Sequence, residues 1–287
     1  MDTTSKTRAG TVVVGVDGSA SASCALAWAA EQAVAEHRAL TLAHAVSPLD
    51  AAWLDDAGTE SLELLRVARE VVAERTPDLE VDEVLRIVDP RDLLIGLSGN
   101  AAMVVLGSRG RGPVRSLLLG SVGVALSRHA GCPVVIHRPS DPGKVRRGIL
   151  VGVDGTGASR AALEFAFAQA SIRHLPLTVM HSFWDAEAVI AGPHRVHARS
   201  SEFEEQRLLI AESVSGMGEK FPDVRMEIQL ARGYPGDCLV REGERMNMVV
   251  VGAHHRDPVS EIVFGSAATF VVEHAACPAA VVPTAWS

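Results

Sequence analysis

The sequence is short of the features that mark several large functional classes. No apolar run is long enough to span a bilayer. Uncharged apolar stretches such as Ser116 to Ser127 and Ile262 to Val272 fall well below the about 20 residues a membrane helix needs. Met1 to Gly10 is polar and lacks the apolar core of a secretory signal, so a soluble, cytoplasmic protein is expected, with no membrane partner. The four cysteines, Cys24, Cys132, Cys238 and Cys277, stand alone with no Cys-x-x-Cys, which points to reduced, small core residues rather than disulfides. Basic residues are outnumbered, 27 against 35 acidic, for a net charge of −8, so an extended polyanion is repelled and nucleic acid is not an expected partner. A small anion needs only a local pocket, which a helix N-terminus and a few arginines supply.

Signature motifs of common nucleotide and hydrolytic enzymes are also missing. There is no Gly-x-x-x-x-Gly-Lys-[Ser/Thr], no Gly-x-Gly-x-x-Gly after the first strand and no Gly-x-Ser-x-Gly elbow. Ser-Gly-Gly-x-Asp-Ser and His-Ile-Gly-His are absent too. His194-x-x-His197 and His254-His255 have no further ligands close in sequence, so no metal site is expected.

What is present is a repeat. Val12 to Val46 aligns without a gap on Ile149 to Phe183 at a spacing of 137 residues, matching Gly15 with Gly152, Asp17 with Asp154, Gly18 with Gly155 and His44 with His181. Farther on, Gly107, Gly120, Ser121, Cys132 and Pro133 recur as Gly252, Gly265, Ser266, Cys277 and Pro278 at a spacing of 145. At 287 residues, two ordinary domains are expected, residues 1–140 and 146–287, joined by the Pro-, Gly- and charge-rich stretch Arg138 to Arg147.

Each copy alternates strand and helix. Thr11 to Val16 and Gly148 to Val153 read as central parallel strands; Ala20 to Glu36 and Ala158 to Arg173 read as the helices that follow. Second strands are expected at Leu40 to Val46 and Leu177 to Phe183, then longer helical segments at Glu60 to Glu74 and Ser200 to Lys220. Strict alternation at Val224, Met226, Ile228 and Leu230, and at Leu79, Val81, Leu85 and Ile87, predicts third strands at a sheet edge. Short helices at Pro90 to Ser98 and Pro235 to Arg245 lead to strands Met103 to Gly107 and Met248 to Gly252. The fold class is therefore α/β: two Rossmann-like parallel-sheet domains in tandem, of flavodoxin-like order 3-2-1-4-5. That order opens a crevice at the carboxyl ends of strands one and four, which end at Asp17 and Gly107.

Gly107-Ser108-Arg109-Gly110-Arg111-Gly112-Pro113 runs on to Gly120-Ser121 and into a helix. Glycines let successive N–H groups close on an anion, and Ser121 sits where a helix begins. Arg109, Arg111 and Arg115 add positive charge. A flexible surface loop with a helix cap is the plainer alternative; the position facing Asp17 favours phosphate. Asp17 either caps the next helix or contacts a ribose or a metal-bridged phosphate.

These residues resemble the universal stress protein family over nearly the whole chain, in two copies. Its ATP-binding members carry Gly-x2-Gly-x9-Gly-[Ser/Thr], matched by Gly107, Gly110, Gly120 and Ser121, together with Val-Gly-Val-Asp-Gly-Ser at Val14 to Ser19 and His-Ala-Val at His44 to Val46. The resemblance implies ATP, with or without Mg²⁺, held in copy one by Gly15, Asp17, the backbone near Ala45 and Val46 at the adenine, and Gly107 to Pro113 with Gly120, Ser121 and Val122 at the phosphates. His44 is expected to pack beneath the adenine pocket. In copy two it implies Gly152, Asp154, Gly252, Ala253, His254, His255, Arg256, Gly265, Ser266 and Ala267, but His255 stands where the second glycine belongs and tolerates positive φ less readily. The family's association through last strands implies pairing of Val134 to His137 with Ala279 to Val282, and a homodimer through terminal strands or outer faces. The expected function is a nucleotide-dependent regulator of a stress or dormancy response, read by a protein partner, and not an enzyme. The alternatives are a slow ATPase or nucleotide-transferring enzyme on the same fold, or an interaction module that has lost nucleotide.

Overall fold

The computed structural model describes residues 8–48, 57–110, 119–139, 146–184, 192–196, 203–253 and 267–286. The chain divides into two compact units, Met1–Pro139 and Ser140–Ser287.

Unit 1 follows the expected alternation. β1 (Val12–Gly15) is an apolar run, and its three valines are fully buried, as a strand covered on both faces requires. α1 (Ala20–Ala35) is alanine-rich and buries Ala22, Ala25, Leu26, Ala29 and Ala33. Its N-cap is Ser19, whose hydroxyl accepts from the Ala22 N–H at 3.1 Å. β2 (Leu40–Val46) then pairs parallel with β1, and α2 (Ala57–Arg75) buries Leu65, Ala68 and Val72 at helical spacing. β3 (Val81–Ile87) pairs parallel with β2. α3 (Pro90–Ser98) starts with Asp89 as cap and Pro90 in its first turn, β4 (Met103–Gly107) returns beside β1, and α4 (Ser121–His129) and β5 (Val134–His137) complete the unit. The strand order is β3-β2-β1-β4-β5, as the sequence predicts. One detail differs. The apolar face read from Val81, Leu85 and Ile87 is only partly covered, with Ile87 50% exposed, while Val84 on the opposite face is 3% exposed.

Unit 2 repeats the plan with three departures. β6 (Ile149–Val153) leads into a 3₁₀ turn at Gly157–Ser159 before α5 (Arg160–Arg173), so the helix starts two residues later than its pattern suggests. The cause is local: Thr156, at the position of Ser19, makes no side-chain cap and instead gives its hydroxyl to Asp154. β7 (Leu177–Phe183) is followed by a short strand the pattern does not reveal, β8 (His194–Val196). The single long helix expected over Ser200 to Lys220 is two, α6 (Glu204–Ser213) and α7 (Met217–Lys220), broken where Gly216 takes φ +79°. β9 (Met226–Arg232) pairs parallel with β7 and antiparallel with β8, so it is not an edge strand. α8 (Pro235–Gly243), β10 (Met248–Ala253), α9 (Ala267–His274) and β11 (Ala279–Pro283) finish the order β8-β9-β7-β6-β10-β11. Cys132, Cys238 and Cys277 are buried and Cys24 is half-buried; none forms a disulfide. Burial pushes the Cys132 thiol up to about 12 and the Cys238 thiol to about 11, which keeps both protonated.

Candidate functional site in unit 1

β1 and β4 lie side by side, with Val14 opposite Val105, and the chain leaves them in opposite directions across the sheet. The carboxyl ends of such strands form the crevice in which doubly wound folds bind ligands. Three groups converge there: the turn after β1, the end of β2 and the loop after β4.

The turn after β1 is fixed by its own side chains. Asp17 Oδ1 accepts the Ser19 N–H at 2.9 Å, and Gly18 between them takes φ +77°. Asp17 therefore does not cap α1; Ser19 does, and the other Asp17 oxygen faces the loop after β4. At the end of β2, His44 Nδ1 donates to the Val16 carbonyl at 2.6 Å, tying β2 to the same turn. Val46 is 9% exposed and Ala45 half-buried, opposite Ile87 and Arg86 of β3.

The loop after β4 lies against α1. A β-carbon on Gly107 would stand 2.6 Å from Ser21, so only glycine allows this approach. The Arg109 N–H donates to Ser21 Oγ at 3.2 Å, and its carbonyl accepts from Ser19 Oγ at 3.3 Å. Two serines of the first turn thus pin the loop at one residue. Neither contact is legible in the glycine spacing, although Ser19 and Ser21 flank the helix start in the sequence. Ser108 is 7% exposed; its N–H donates to His137 O and its carbonyl accepts the Gly120 N–H at 3.3 Å. The loop's two ends therefore meet.

The path of the pinned loop brings Gly110 to Asp17: a β-carbon there would stand 2.7 Å from Asp17 Oδ2. Gly120 is the N-cap of α4 with no side-chain cap bond, and a β-carbon on it would meet nothing within 4 Å. At the amino end of α4, Ser121 is exposed and Val122 half-buried, and among the described residues nothing lies over Gly120. Arg111, Gly112 and Pro113 lie outside the described residues. Gly15 also has a packing part. It lies in the sheet, where Leu106 fills the place of its missing side chain at 2.7 Å.

His137 ends β5 beside Trp28, with ring centroids 6.3 Å apart. Its Nδ1 is buried without a hydrogen-bond partner, and burial lowers its pKa to about 4. The ring is neutral next to the loop.

Unit 2 brings the equivalent strand ends together with bulkier side chains among them. Asp154 Oδ1 accepts from Thr156 N–H at 2.9 Å, Thr156 Oγ1 at 2.8 Å and Ser159 Oγ at 2.6 Å. Gly155, at φ +80°, is covered by Leu209 of α6, whose Cδ2 would lie 1.7 Å from an added β-carbon. At the ends of β7 and β9, Phe183 packs on Phe203 at 5.3 Å, and the Arg232 guanidinium lies 5.8 and 5.1 Å from their two ring centroids. Arg232 is only 7% exposed. The corresponding unit 1 residues are Val46 and Ile87, both aliphatic. Gly152, like Gly15, is a packing position, filled by Leu239 at 2.7 Å. Gly252 and Ala253 end β10 and Ala267 begins α9; His254, His255, Arg256, Gly265 and Ser266 lie outside the described residues, as does His197. His181 Nδ1 donates to Val153 O at 2.9 Å, repeating the His44 contact. Among the described residues no group of three or more His, Cys, Asp or Glu is placed to hold a metal, and no helix is long and apolar enough to cross a membrane.

Comparison with known proteins agrees with the duplication. The family model described as "Universal stress protein family" matches residues 9–138 and again 146–283. A universal stress protein of Mycobacterium tuberculosis is 34% identical over 284 residues, covering 93% of this chain and 95% of its own. One of Mycolicibacterium smegmatis is 32% identical over 286 residues, covering 94% and 96%. Among solved structures, a universal stress protein of Archaeoglobus fulgidus superposes with a TM-score of 0.67 at 18% identity, covering 95% of this chain and 96% of that one, a likeness of fold. Matched twice by the family model and along nearly its full length by these relatives, the chain belongs to the universal stress protein family.

Proposed function

We propose that unit 1 binds one ATP in the crevice between β1 and β4, that unit 2 binds none, and that the protein works as a nucleotide-dependent regulator in the cell's response to stress. The observation that carries this reading is the approach of Gly110 to Asp17, in a loop that leads to the uncapped start of α4 at Gly120. Gly110 has no side chain to intrude, so its backbone stands next to the one carboxylate of the β1 turn. From there the chain returns to Gly120, where the first N–H groups of α4 have no side-chain cap. A triphosphate fits such a cradle: backbone donors and a helix terminus take the phosphates, and the Asp17 carboxylate suits ribose hydroxyls or a phosphate-bound Mg²⁺. Arg109 supplies positive charge from an exposed position at the rim.

The asymmetry rests on unit 2's own side chains. Leu209 lies on Gly155, the stack of Phe183, Phe203 and Arg232 occupies the ends of β7 and β9, and Ala158 replaces the hydroxyl of Ser21. Unit 2 then carries no second nucleotide site. A regulator needs occupancy more than turnover, because a ligand acts by favouring the state that binds it.

Denaturing the purified protein and separating any released small molecules by chromatography tests the ligand. ATP or ADP at a fixed ratio to protein is the expected result. A folded protein that releases no nucleotide, and takes none up when ATP is supplied in excess, contradicts it.

A further inference from the structure

The edges of the two units are treated differently. In unit 2 the third parallel strand, β9, is covered by the antiparallel β8, with His194 opposite Arg232 and Val196 opposite Leu230. In unit 1 the equivalent strand, β3, pairs only with β2 among the described residues. The Leu40 N–H donates to Glu80 O at 2.9 Å, so even-numbered β3 residues turn their backbone groups inward to β2. Odd-numbered residues turn theirs outward, as Arg69 confirms by donating to Val81 O at 2.6 Å. The outward N–H and C=O groups of Glu83, Leu85 and Ile87 form a template for another strand.

We propose that β3 is the dimerisation edge of this protein, pairing antiparallel with β3 of a second copy about a two-fold axis through Val84. The sequence of the strand, Val81-Asp82-Glu83-Val84-Leu85-Arg86-Ile87, is complementary to itself in that register. Asp82 comes opposite Arg86 of the other copy, twice over; Val81 comes opposite Ile87; Glu83 and Leu85 exchange backbone hydrogen bonds. The alternation of inward and outward groups permits registers only in steps that keep odd residues opposite odd. Moving the axis to Glu83 sets two glutamates against each other. Moving it to Leu85 takes Arg86 away from Asp82, which then has, among the described residues, only the more distant Arg8 of its own chain at 3.7 Å, while Glu83 keeps Arg69 at 2.5 Å in every register. The Val84 register also pairs the greatest length of strand.

The helix above the edge fits the same partner. Leu62 precedes Arg69 by seven residues on α2, so it lies on the same side of the helix, about 10 Å nearer the carboxyl ends of the strands. It is 56% exposed, and Ile87 at the end of β3 is 50% exposed. Two-fold pairing brings both apolar side chains of each copy to the junction, where a monomer leaves them in water.

Sedimentation velocity of the full chain over a concentration series tests the proposal, and a dimer is expected. Leu85→Pro removes an outward N–H at a position where an edge strand tolerates proline, so it yields a monomer with its thermal transition retained. Arg86→Asp places like charges opposite at two points and raises the dimer dissociation constant about tenfold. Under a mild oxidant Val84→Cys gives a disulfide-linked dimer, because facing Cα atoms in a non-hydrogen-bonded pair lie about 4.5 Å apart, whereas Val81→Cys does not. A wild-type monomer at all concentrations, a dimer indifferent to both Leu85→Pro and Arg86→Asp, or equal cross-linking at the two cysteine positions overturns it.

Discussion

Gly110 and Asp17 lie 93 residues apart in the chain, yet a β-carbon on Gly110 would stand 2.7 Å from Asp17 Oδ2. The second glycine of the motif is thus explained by a carboxylate in the opposite wall of the crevice, and its own φ is not in the left-handed range. Gly110→Ala forces the carboxylate aside by several tenths of an ångström. ATP affinity measured by calorimetry is expected to fall about tenfold, with stability changed by less than about 0.5 kcal/mol because Gly110 is exposed.

Ser19 both caps α1 and holds the Arg109 carbonyl. Ser19→Ala is expected to cost about 1 kcal/mol of stability, seen as a thermal midpoint lower by about 2 to 4 °C. It also weakens ATP binding by releasing the loop. Ser23, whose hydroxyl donates to the Ser19 carbonyl of its own helix turn, is the control. Equal effects of Ser19→Ala and Ser23→Ala on binding contradict the pinning role.

Phe203, 6% exposed, joins Phe183 and Arg232 in one stack at the mouth of unit 2. Phe203→Ala is expected to destabilise the protein by about 3 kcal/mol in denaturant titration, since it leaves a cavity and removes one ring from a buried guanidinium. A change below about 1 kcal/mol contradicts the stack as a structural filling.

His137 gives a pH signature. Its folded pKa of about 4 lies below the ordinary 6.5 because burial disfavours the charged ring. The unfolded chain therefore binds the proton first, and stability declines as pH falls from about 6.5 toward 4. His137→Leu is expected to flatten the thermal midpoint over that window; an unchanged slope contradicts the assignment.

The sequence made the architecture readable because burial on both faces leaves a plain mark: Val12 to Val14 and Ile149 to Val151 are unbroken apolar runs, and both prove fully buried. Asp17, Gly107, Gly110 and Gly120 were legible by spacing; the structure brings Gly110 to Asp17 and Gly107 to Ser21 and makes Gly120 the start of α4. Ser21 was not, since a serine in the first turn of a helix is an ordinary solvent-facing residue until a loop from 88 positions away lies on it. Gly15 and Gly152 have a packing reason that the sequence does not display, since Leu106 and Leu239 occupy the places of their missing side chains. β8 and Phe203 fall in the stretch where the two copies do not align, and three residues are too few for a strand period to register. The break at Gly216 escaped for the opposite reason: helical spacing continues on both sides of it.

ATP titration of the nucleotide-free protein tests the central claim most directly. One site per chain, weakened by Gly110→Ala and untouched by Asp154→Asn, is the predicted result. Two equivalent sites, or a single site that Asp154→Asn weakens and Gly110→Ala leaves alone, contradicts it.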